Sequence, residues 1–578
     1  MSHTAVGSAA AVPGRRLARW VSWRSLLIPR VISICVGALV LAWAVHGLTF
    51  LEDEWSVIAA RLPASTLRDA YLLPHVQHLF AFDFLLYRAV YAVAGLGRYW
   101  PYQLVALLAH LIVVWLLFDV LRRRIGSVLA FFVTLPVLVL GAAWEDLLFP
   151  FNEVFIIPMA ALLGVMLLLD SGDRRWDVAI FALLMVAVAS STLGPLIAIG
   201  VLVWLLLDRG RWRSAWTALV PLFLYGLWYV HYGANAPGPP GYHVTASPLY
   251  FVDTAAAAVA GLLGVALKSG WAAPFQLLAV ALVVALVIHR RKIGRDLVML
   301  LMILALYWLV LTLNRGFLAA PFTSRYVYPG VVLLILAGAE LFRGRSVSPL
   351  VQRCVIVVAC VSTVINLVSL VHFSNRRRAK AQLVAADVAA VQITEGQNVS
   401  PAFKIDPTGV ENPLTAFQYF AAVDRLHSSP APSLAALMAA PEVARAAADR
   451  ELIRAYNMRL IGLTPAGLRL FAMVDRAPRA VEIDRTAGGT VVRAWRCAVF
   501  TPTAPSASIE FTVGPPGVMV RTQPDRTITA RLRRFAWAFP TTPIVTVVGR
   551  QWLPLPRDGA PQLWHIQLIT DGPVQVCD

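Results

Sequence analysis

Long apolar runs recur along this chain of 578 residues, and they constrain its fold more than any other feature. A helix needs roughly 20 apolar residues to cross a bilayer, at ~1.5 Å of rise per residue. Only 14% of the residues are charged, where soluble proteins carry about 25%. About eleven runs qualify as spans, and by residue number they are 31–50, 102–121, 126–142, 154–170, 178–190, 195–207, 215–231, 272–289, 297–313, 327–342 and 350–371. The sequence therefore predicts a polytopic α-helical membrane protein.

Arginine and lysine cluster in the short loops between these runs. A net charge of +18 would also suit a nucleic-acid-binding protein, but short basic loops in a membrane protein indicate the cytoplasmic face. Every basic cluster falls on that face if the apolar segment 252–267 lies along the outer surface or re-enters instead of crossing. This orientation predicts a cytoplasmic N-terminus over residues 1–30, a retained first helix and no nucleic-acid partner.

Two other stretches of the chain need separate interpretations. Segment 79–97 is apolar but is interrupted by Asp83 and Arg88, which predicts an amphipathic helix at the outer interface. From residue 372 the hydropathy falls, and the chain is long enough for its own core. We predict a mainly helical segment over 372–464 and a β-sandwich over 465–578, where short alternating strands follow Gly/Pro turns. Both would lie outside the cytoplasm, after a membrane domain over 31–371 whose first outer loop is 51–101.

Three acids, Glu52, Asp53 and Glu54, follow the first span directly. A carboxylate at a bilayer boundary is costly unless it faces water or a cavity. The acids either form a solvated interface cluster or include a general base for an acceptor hydroxyl. His75 and His78 follow in the same loop; histidines with carboxylates can hold a divalent cation, but the spacing is loose. We predict hydrogen bonding or a structural role for them and no metal, with a divalent cation as the open alternative.

Further charged residues are predicted at the same outer face. Glu145 and Asp146 end the third span, where they form either a second acidic site or a polar loop beside an interfacial tryptophan. Arg315 and Arg325 lie in a later outer loop. A guanidinium makes bidentate contacts with phosphate, so each arginine either binds a phosphate or snorkels at the interface. Snorkelling is the favoured interpretation of Arg315.

Several short motifs occur together in an order that resembles the GT-C superfamily of membrane glycosyltransferases. They include the acidic pair after the first span, the segment around Pro74-His75, a helix closing on Arg122-Arg123-Arg124-Ile125-Gly126, and the segment Thr323-Ser324-Arg325-Tyr326-Val327-Tyr328-Pro329. The resemblance is strongest to the branch of bacterial protein O-mannosyltransferases and lipid-A aminoarabinose transferases, and it covers roughly residues 25–345. The chain departs from that branch at Pro74-His75-Val76, where the family often has His-Pro-Pro.

The resemblance implies an activity in the bacterial inner membrane. Such enzymes take a sugar from a polyprenyl-phosphate donor at the outer face and invert the anomeric carbon, without a cofactor. The acceptor would be an envelope glycan, a lipid or a protein. Asp53 would be the general base, with Glu54 either orienting it or binding the acceptor. Arg325, with Arg315, His75 and His78 as possible helpers, would bind the donor phosphate.

Two rival functions stay open at this point. A transporter or flippase for lipid-linked glycans would need inward polar residues along several helices, and a non-catalytic envelope-assembly protein would need no base. No Walker loop, dinucleotide fingerprint, zincin helix or nucleophile elbow occurs in a suitable context, which argues against an ATP-driven pump or a hydrolase.

Cys497 and Cys577 are the only cysteines of the polar C-terminal region. An extracytoplasmic location would favour a disulfide between them, because thiols are oxidised in such compartments. The tryptophans of this region, among them Trp537 and Trp564, either form part of its core or bind glycan, and the core is the favoured interpretation.

Overall fold

The computed structural model describes residues 26–75, 78–236, 247–267, 272–288, 294–315, 320–345, 347–405, 414–462, 481–494, 496–523, 528–540, 545–547 and 549–577. These residues form two compact units. The described residues of Met1–His46, Ala64–Val93 and Trp100–Arg377 belong to the first unit, and those of Gly47–Pro63, Ala94–Tyr99 and Arg378–Asp578 belong to the second. The outer loop 51–101, which we predicted to lie wholly within the membrane domain, is thus divided between the units.

Helices dominate the first 400 residues. In chain order they are α1 (Leu27–Val45), α2 (Glu54–Ser56), α3 (Ala81–Ala94), α4 (Trp100–Ile125), α5 (Ser127–Leu138), α6 (Trp144–Leu148), α7 (Glu153–Asp170), α8 (Asp177–Ser190), α9 (Leu193–Leu207), α10 (Trp216–Trp228), α11 (Ser247–Leu262), α12 (Ala272–Ile288), α13 (Arg295–Arg315), α14 (Val327–Leu341) and α15 (Pro349–Ile393). Each predicted span overlaps one of them. Among the described residues, seven helices are long and apolar enough to cross a membrane, and α9, α11 and α12 contain shorter apolar helices. The chain is therefore a multi-helix membrane protein, as predicted.

A buried ionic cluster joins four helix ends of the first unit. The Arg124 guanidinium at the end of α4 lies 3.0 Å from Asp170 at the end of α7, and it also contacts Glu340 in α14. Arg343, just after α14, lies 2.5 Å from Asp296 at the start of α13. The Arg124 side chain is 1% exposed, so losing a partner would leave a buried charge unpaired. The cluster places these ends on one face, as the distribution of basic residues predicts.

The predicted hairpin of α8 and α9 begins and ends at this same face. Asp177, at the start of α8, pairs with Arg211 after α9 at 2.9 Å. Asp208, directly after α9, pairs with Arg295 at the start of α13 at 2.5 Å. Two predicted inner loops are therefore adjacent in the fold.

The ambiguous segment 252–267 can now be interpreted from the faces at which its neighbours end. Tyr225, in the last turns of α10, hydrogen-bonds Thr192 in the turn between α8 and α9, so α10 ends at the opposite face. Because α13 starts back at the ionic cluster, α11 and α12 together make one net crossing. The prediction that 252–267 does not add a crossing agrees with this arrangement.

Helix α15 differs from the prediction. We expected a span over 350–371 followed by a separate polar domain from 372, but the helix continues for 45 residues to Ile393. The run contains no glycine, and its only proline is Pro349 at the first helical position, where proline is tolerated. The fall in hydropathy therefore marks a change in the surroundings of the helix and not its end. The boundary between the units lies within it, after Arg377.

The second unit combines a helical segment with strands. Its further helices are α16 (Ala416–Leu426), α17 (Leu434–Met438) and α18 (Glu442–Ala455). Its strands are β1 (Ile461–Gly462), β2 (Glu482–Ala487), β3 (Gly489–Ala494), β4 (Cys497–Pro502), β5 (Ala507–Val513), β6 (Gly517–Thr522), β7 (Ile528–Arg533), β8 (Val545–Val547), β9 (Arg550–Pro554), β10 (Trp564–Thr570) and β11 (Val574–Cys577). They form one sheet in the order β1-β9-β6-β11-β4-β3 and another in the order β2-β5-β10-β7-β8.

The two sheets share a hydrophobic core. Side chains of β5 and β10 alternate strictly between buried and half-buried, which is the period of a strand with one face inward. Phe511 and Ile566 of one sheet belong to the same buried cluster as Phe500 and Val520 of the other. This arrangement is the β-sandwich expected from the sequence.

Cys497 and Cys577 occupy facing positions on β4 and β11. They form a disulfide with an S–S distance of 2.08 Å and a Cα–Cα distance of 4.2 Å. Because β11 lies between β4 and β6, this bond ties the last strand of the chain into the middle of its sheet.

Candidate active site

Two predicted site residues of the first unit, 180 positions apart, form an ion pair. Arg325 lies in the 3-10 turn Ser324–Tyr326 that precedes α14, and Glu145 lies in α6. The Arg325 Nε atom is 3.2 Å from the Glu145 carboxylate, and the backbone N–H of Arg325 donates to the same oxygen at 3.3 Å. The Glu145 N–H donates to the Ser324 hydroxyl at 3.0 Å. The turn therefore holds both the charge and the backbone of the pair in place.

Asp146 lies beside this pair and is 1% exposed. Its carboxylate interacts electrostatically with Glu145 and Arg325, and it also acts on the nearby Tyr307 and Tyr328. Within the described part of the chain, neither of its oxygens has a hydrogen-bond partner. Buried polar groups are nearly always hydrogen-bonded, so this carboxylate is a position at which a ligand hydroxyl or cation would be stabilised.

A further charged residue, next to α6, was not recognised as part of a site. Arg377 is 6% exposed, and its guanidinium lies 5.0 Å from the centre of the Phe149 ring and 5.9 Å from that of Trp144. The Trp144 ring stacks on Phe373 with centroids 4.9 Å apart. We placed Arg377 in the polar region that begins at residue 372, because a single sequence does not reveal that α15 brings this residue to the segment containing Glu145.

The two predicted histidines pair with each other through an isolated antiparallel β-bridge in the first unit. Backbone N–H groups of His75 and His78 each donate to the other's carbonyl, at 3.0 and 2.9 Å. The His75 ring is buried among the rings of Phe80, Phe84 and Phe151, with centroids 5.2–6.1 Å away. The His78 Nδ1 atom lies 2.5 Å from the Thr192 hydroxyl. Among the described residues no group of three or more His, Cys, Asp and Glu side chains could hold a metal.

Asp83 is a second residue that sequence reasoning missed. It lies on the buried face of α3 with Phe84 and Tyr87, and it is 0% exposed. Neither of its oxygens has a hydrogen-bond partner among the described residues, and burial raises the pKa of its carboxyl well above the usual range. An acid within an apolar helix is a signal for a functional site. We used Asp83 only as evidence against a membrane span.

The acidic triplet belongs to the second unit, and its three carboxylates differ. Glu54 is 0% exposed and accepts hydrogen bonds from the Leu51 N–H at 2.9 Å and from the Tyr99 hydroxyl at 2.9 Å. Glu52 is 7% exposed and pairs with the Lys380 ammonium at 2.9 Å. Asp53 precedes α2 and is the partly exposed member of the three.

The predicted residues thus fall into two groups. Glu145, Asp146 and Arg325 meet in the first unit, which also contains His75 and His78. Asp53 and Glu54 lie in the second unit. Arg315 is the last residue of α13, and its side chain lies outside the described part of the structure.

The first group combines a cation that can bind an anion, Arg325, with two neighbouring carboxylates. A guanidinium at 26% side-chain exposure can still reach a phosphate, and it binds phosphate oxygens in a bidentate geometry. Glu145 keeps this charge oriented in the absence of a ligand, while Asp146 supplies a buried acceptor alongside it.

Comparison with known proteins found similarity to solved structures, among them two of the same protein. No protein-family model matches the sequence, and no curated protein matches it. The chain is similar to ArnT from Cupriavidus metallidurans bound to undecaprenyl phosphate, with 16% identity over 69% of this chain and 89% of that one, at a TM-score of 0.42. It is also similar to the apo state of the same protein, with 15% identity over 79% and 96% of the two chains and a TM-score of 0.44. Similarity of this degree assigns no role to any residue.

Proposed function

We propose that this protein is a membrane glycosyltransferase that moves a sugar from a polyprenyl-phosphate carrier to a cell-envelope glycan, lipid or protein. The observation that carries the proposal is the cluster of Arg325, Glu145 and the buried Asp146. It combines a phosphate-binding cation with two carboxylates in a unit built from apolar helices. A donor with a phosphate head and a long apolar tail fits such surroundings, because its tail can stay in the bilayer.

Arg325 is the proposed ligand of the donor phosphate. Its ion pair with Glu145 keeps the guanidinium oriented before the donor binds, which lowers the entropic cost of binding. Arg377 supplies a second guanidinium close to the same segment. Asp146 would accept a hydroxyl of the transferred sugar or of the acceptor, and this bond would satisfy its buried oxygens.

Asp53 is the proposed general base. Its partial exposure supports this role, whereas Glu54 is buried and hydrogen-bonded to its own loop, which favours a positioning role for Glu54. In the proposed step the acceptor oxygen attacks the anomeric carbon from the face opposite the phosphate. The carbon–oxygen bond to the phosphate breaks, Asp53 takes the hydroxyl proton, and polyprenyl phosphate leaves with the bonding electrons.

The disulfide between Cys497 and Cys577 supports an extracytoplasmic location for the second unit. Disulfides persist in oxidising compartments and are rare in the cytosol. A transfer reaction at the outer face of the inner membrane would be consistent with this chemistry, because carrier-linked sugars are consumed where envelope acceptors are exposed.

The test is sugar transfer in membranes that carry wild-type, Asp53→Asn or Glu52→Gln protein at matched abundance. Radiolabelled polyprenyl-phosphate sugars serve as donors, and label is counted in lipid, glycan and protein fractions. We expect transfer by the wild type and by Glu52→Gln, and a loss of at least about 100-fold in Asp53→Asn, since removal of a general base typically costs 10²–10⁴. Equal transfer by Asp53→Asn would remove this residue from the mechanism.

A second variant separates donor binding from chemistry. Arg325→Lys retains the charge but loses the bidentate contact, so it should raise the KM for the donor more than it lowers kcat. Movement of labelled carrier across the membrane, without label in any acceptor, would instead favour a flippase.

A further inference from the structure

A groove in the second unit is lined by basic, aromatic and apolar side chains. Its volume is about 470 Å³, within the range of roughly 300–1,000 Å³ that is common for small-molecule sites. The residues that line it are Met438, Arg533, Arg534, Phe535, Ala536, Trp537, Gln562, Leu563 and His565. None of these is acidic, but Arg534 is paired with the buried Asp558 at 2.7 Å. The groove therefore offers a ligand the positive charge of Arg533 together with aromatic surface.

Trp537 is the most unusual residue of this groove. Its side chain is 74% exposed, although a tryptophan of a folded domain is highly buried on average. Trp564, in β10, is 1% exposed. The indole of Trp564 is therefore part of the core, and that of Trp537 faces the surface. Our prediction that the tryptophans belong to the core therefore holds for Trp564 and is wrong for Trp537.

The loop that carries Trp537 is held rigidly by helix α18. The Asp449 carboxylate accepts the backbone N–H groups of Arg534, Phe535 and Ala536, each at 2.9 Å. The Glu442 carboxylate accepts those of Trp537 and Ala538 at 2.8 and 2.9 Å. Five consecutive N–H groups are thus bound by two acids, and an exposed indole on such a support is preorganised for a ligand.

Polar groups flank the indole. The Arg445 guanidinium lies 5.0 Å from the Trp537 ring centre. Arg533 donates through Nη1 to the Ala536 carbonyl at 3.0 Å, which holds its guanidinium at the groove. The His565 Nδ1 atom is 3.1 Å from Asp484, and this contact orients the imidazole ring.

We propose that this groove binds an anionic saccharide, that is, a glycan segment with carboxylate or phosphate groups. The flat face of the indole matches the C–H face of a sugar ring, and the Arg533 guanidinium matches its negative charge. A flat lipid surface would use exposed apolar residues without needing a concave site. The groove, its rigid loop and the absence of acids among its lining residues favour a soluble saccharide chain.

The proposal does not depend on transferase activity, because binding is measured without a donor. We would measure affinity of the full-length protein in detergent for hexagalacturonate and for its uncharged methyl ester, with inorganic phosphate as a competitor. The variants are Trp537→Ala, Trp537→Phe and Arg533→Gln. Phe417→Ala is the matched control, since Phe417 is 66% exposed in the same unit and does not line the groove.

We expect the acid to bind more tightly than the ester, and Trp537→Ala to weaken binding of both by about tenfold. Trp537→Phe should recover part of this loss, and Arg533→Gln should remove the preference for the acid. The control should bind like the wild type. Unchanged binding by Trp537→Ala, no binding of either saccharide, or full displacement by phosphate with no effect of Trp537 would each overturn the proposal.

Discussion

The acid that supports the Trp537 loop gives a prediction whose size follows from the structure. Asp449 is 3% exposed and accepts three backbone N–H groups, two on Oδ2 and one on Oδ1. Asp449→Asn keeps the shape of the side chain but replaces one oxygen with an amide NH₂ group. If the remaining oxygen occupies the position of Oδ2, this NH₂ group lies opposite the Phe535 N–H. Two hydrogen-bond donors then face each other, and no hydrogen bond forms between them.

The expected cost can be summed from these bonds. One N–H loses its acceptor while buried, which costs about 1–3 kcal/mol. The two bonds that remain change from charge-assisted to neutral, which roughly halves their strength. We therefore expect the second unit to lose about 3 kcal/mol, a large part of the 5–15 kcal/mol that stabilises a typical domain.

Hydrogen exchange of the full-length protein measures this loss directly. Amides in the middle of β5 and β10 exchange by opening of the whole unit, so a loss of about 3 kcal/mol should speed their exchange by about 150-fold. The control is Asp571→Asn, which affects one exposed acceptor of the Ser506 N–H and should change exchange by less than about threefold. Unchanged exchange in Asp449→Asn would refute the view that this acid supports the loop.

Two further predictions concern other parts of the fold. The double variant Cys497→Ser, Cys577→Ser should destabilise the second unit by about 4 kcal/mol in the chain-entropy model, since the disulfide closes a separation of 80 residues. The same hydrogen-exchange experiment would measure this loss, and exchange at the wild-type rate would contradict the prediction. Gly141→Ala should lower the yield of monodisperse protein after size-exclusion chromatography, because a Cβ atom there would overlap the backbone of α15 at Asn366. Gly338→Ala, which has open space around its Cβ position, should not, and equal yields would contradict the reasoning.

Much of the membrane unit could be predicted from the sequence because hydropathy and helix formation act locally. Apolar runs located the helices, and basic loops placed their ends on the correct face relative to one another. The rule that short basic loops lie on the cytoplasmic face also placed Glu145 and Arg325 together on the opposite face. It could not predict that they touch, since their contact depends on how α6 and the turn before α14 pack across 180 residues of chain.

Features that depend on tertiary context were harder to predict. The end of α15 could not be found from hydropathy, because hydropathy reports what surrounds a helix and not where it ends, and 349–393 contains no glycine and no internal proline to end it. For the same reason we placed Arg377 in a polar domain, although its guanidinium lies beside the rings of Phe149 and Trp144. Asp83 was visible as an acid in an apolar segment, and only its complete burial distinguishes it from a residue at a polar interface.

The position of β11 has a consequence for how the protein is made. Strand β11, Val574–Cys577, pairs with β4 on one side and β6 on the other. Both neighbours precede it in the chain, and at about 5–20 residues per second the ribosome makes them seconds before β11, so they wait with a gap between them in the sheet. The sheet therefore closes only once β11 has been made, and a mutation that removes this strand would remove an interior strand and one cysteine together.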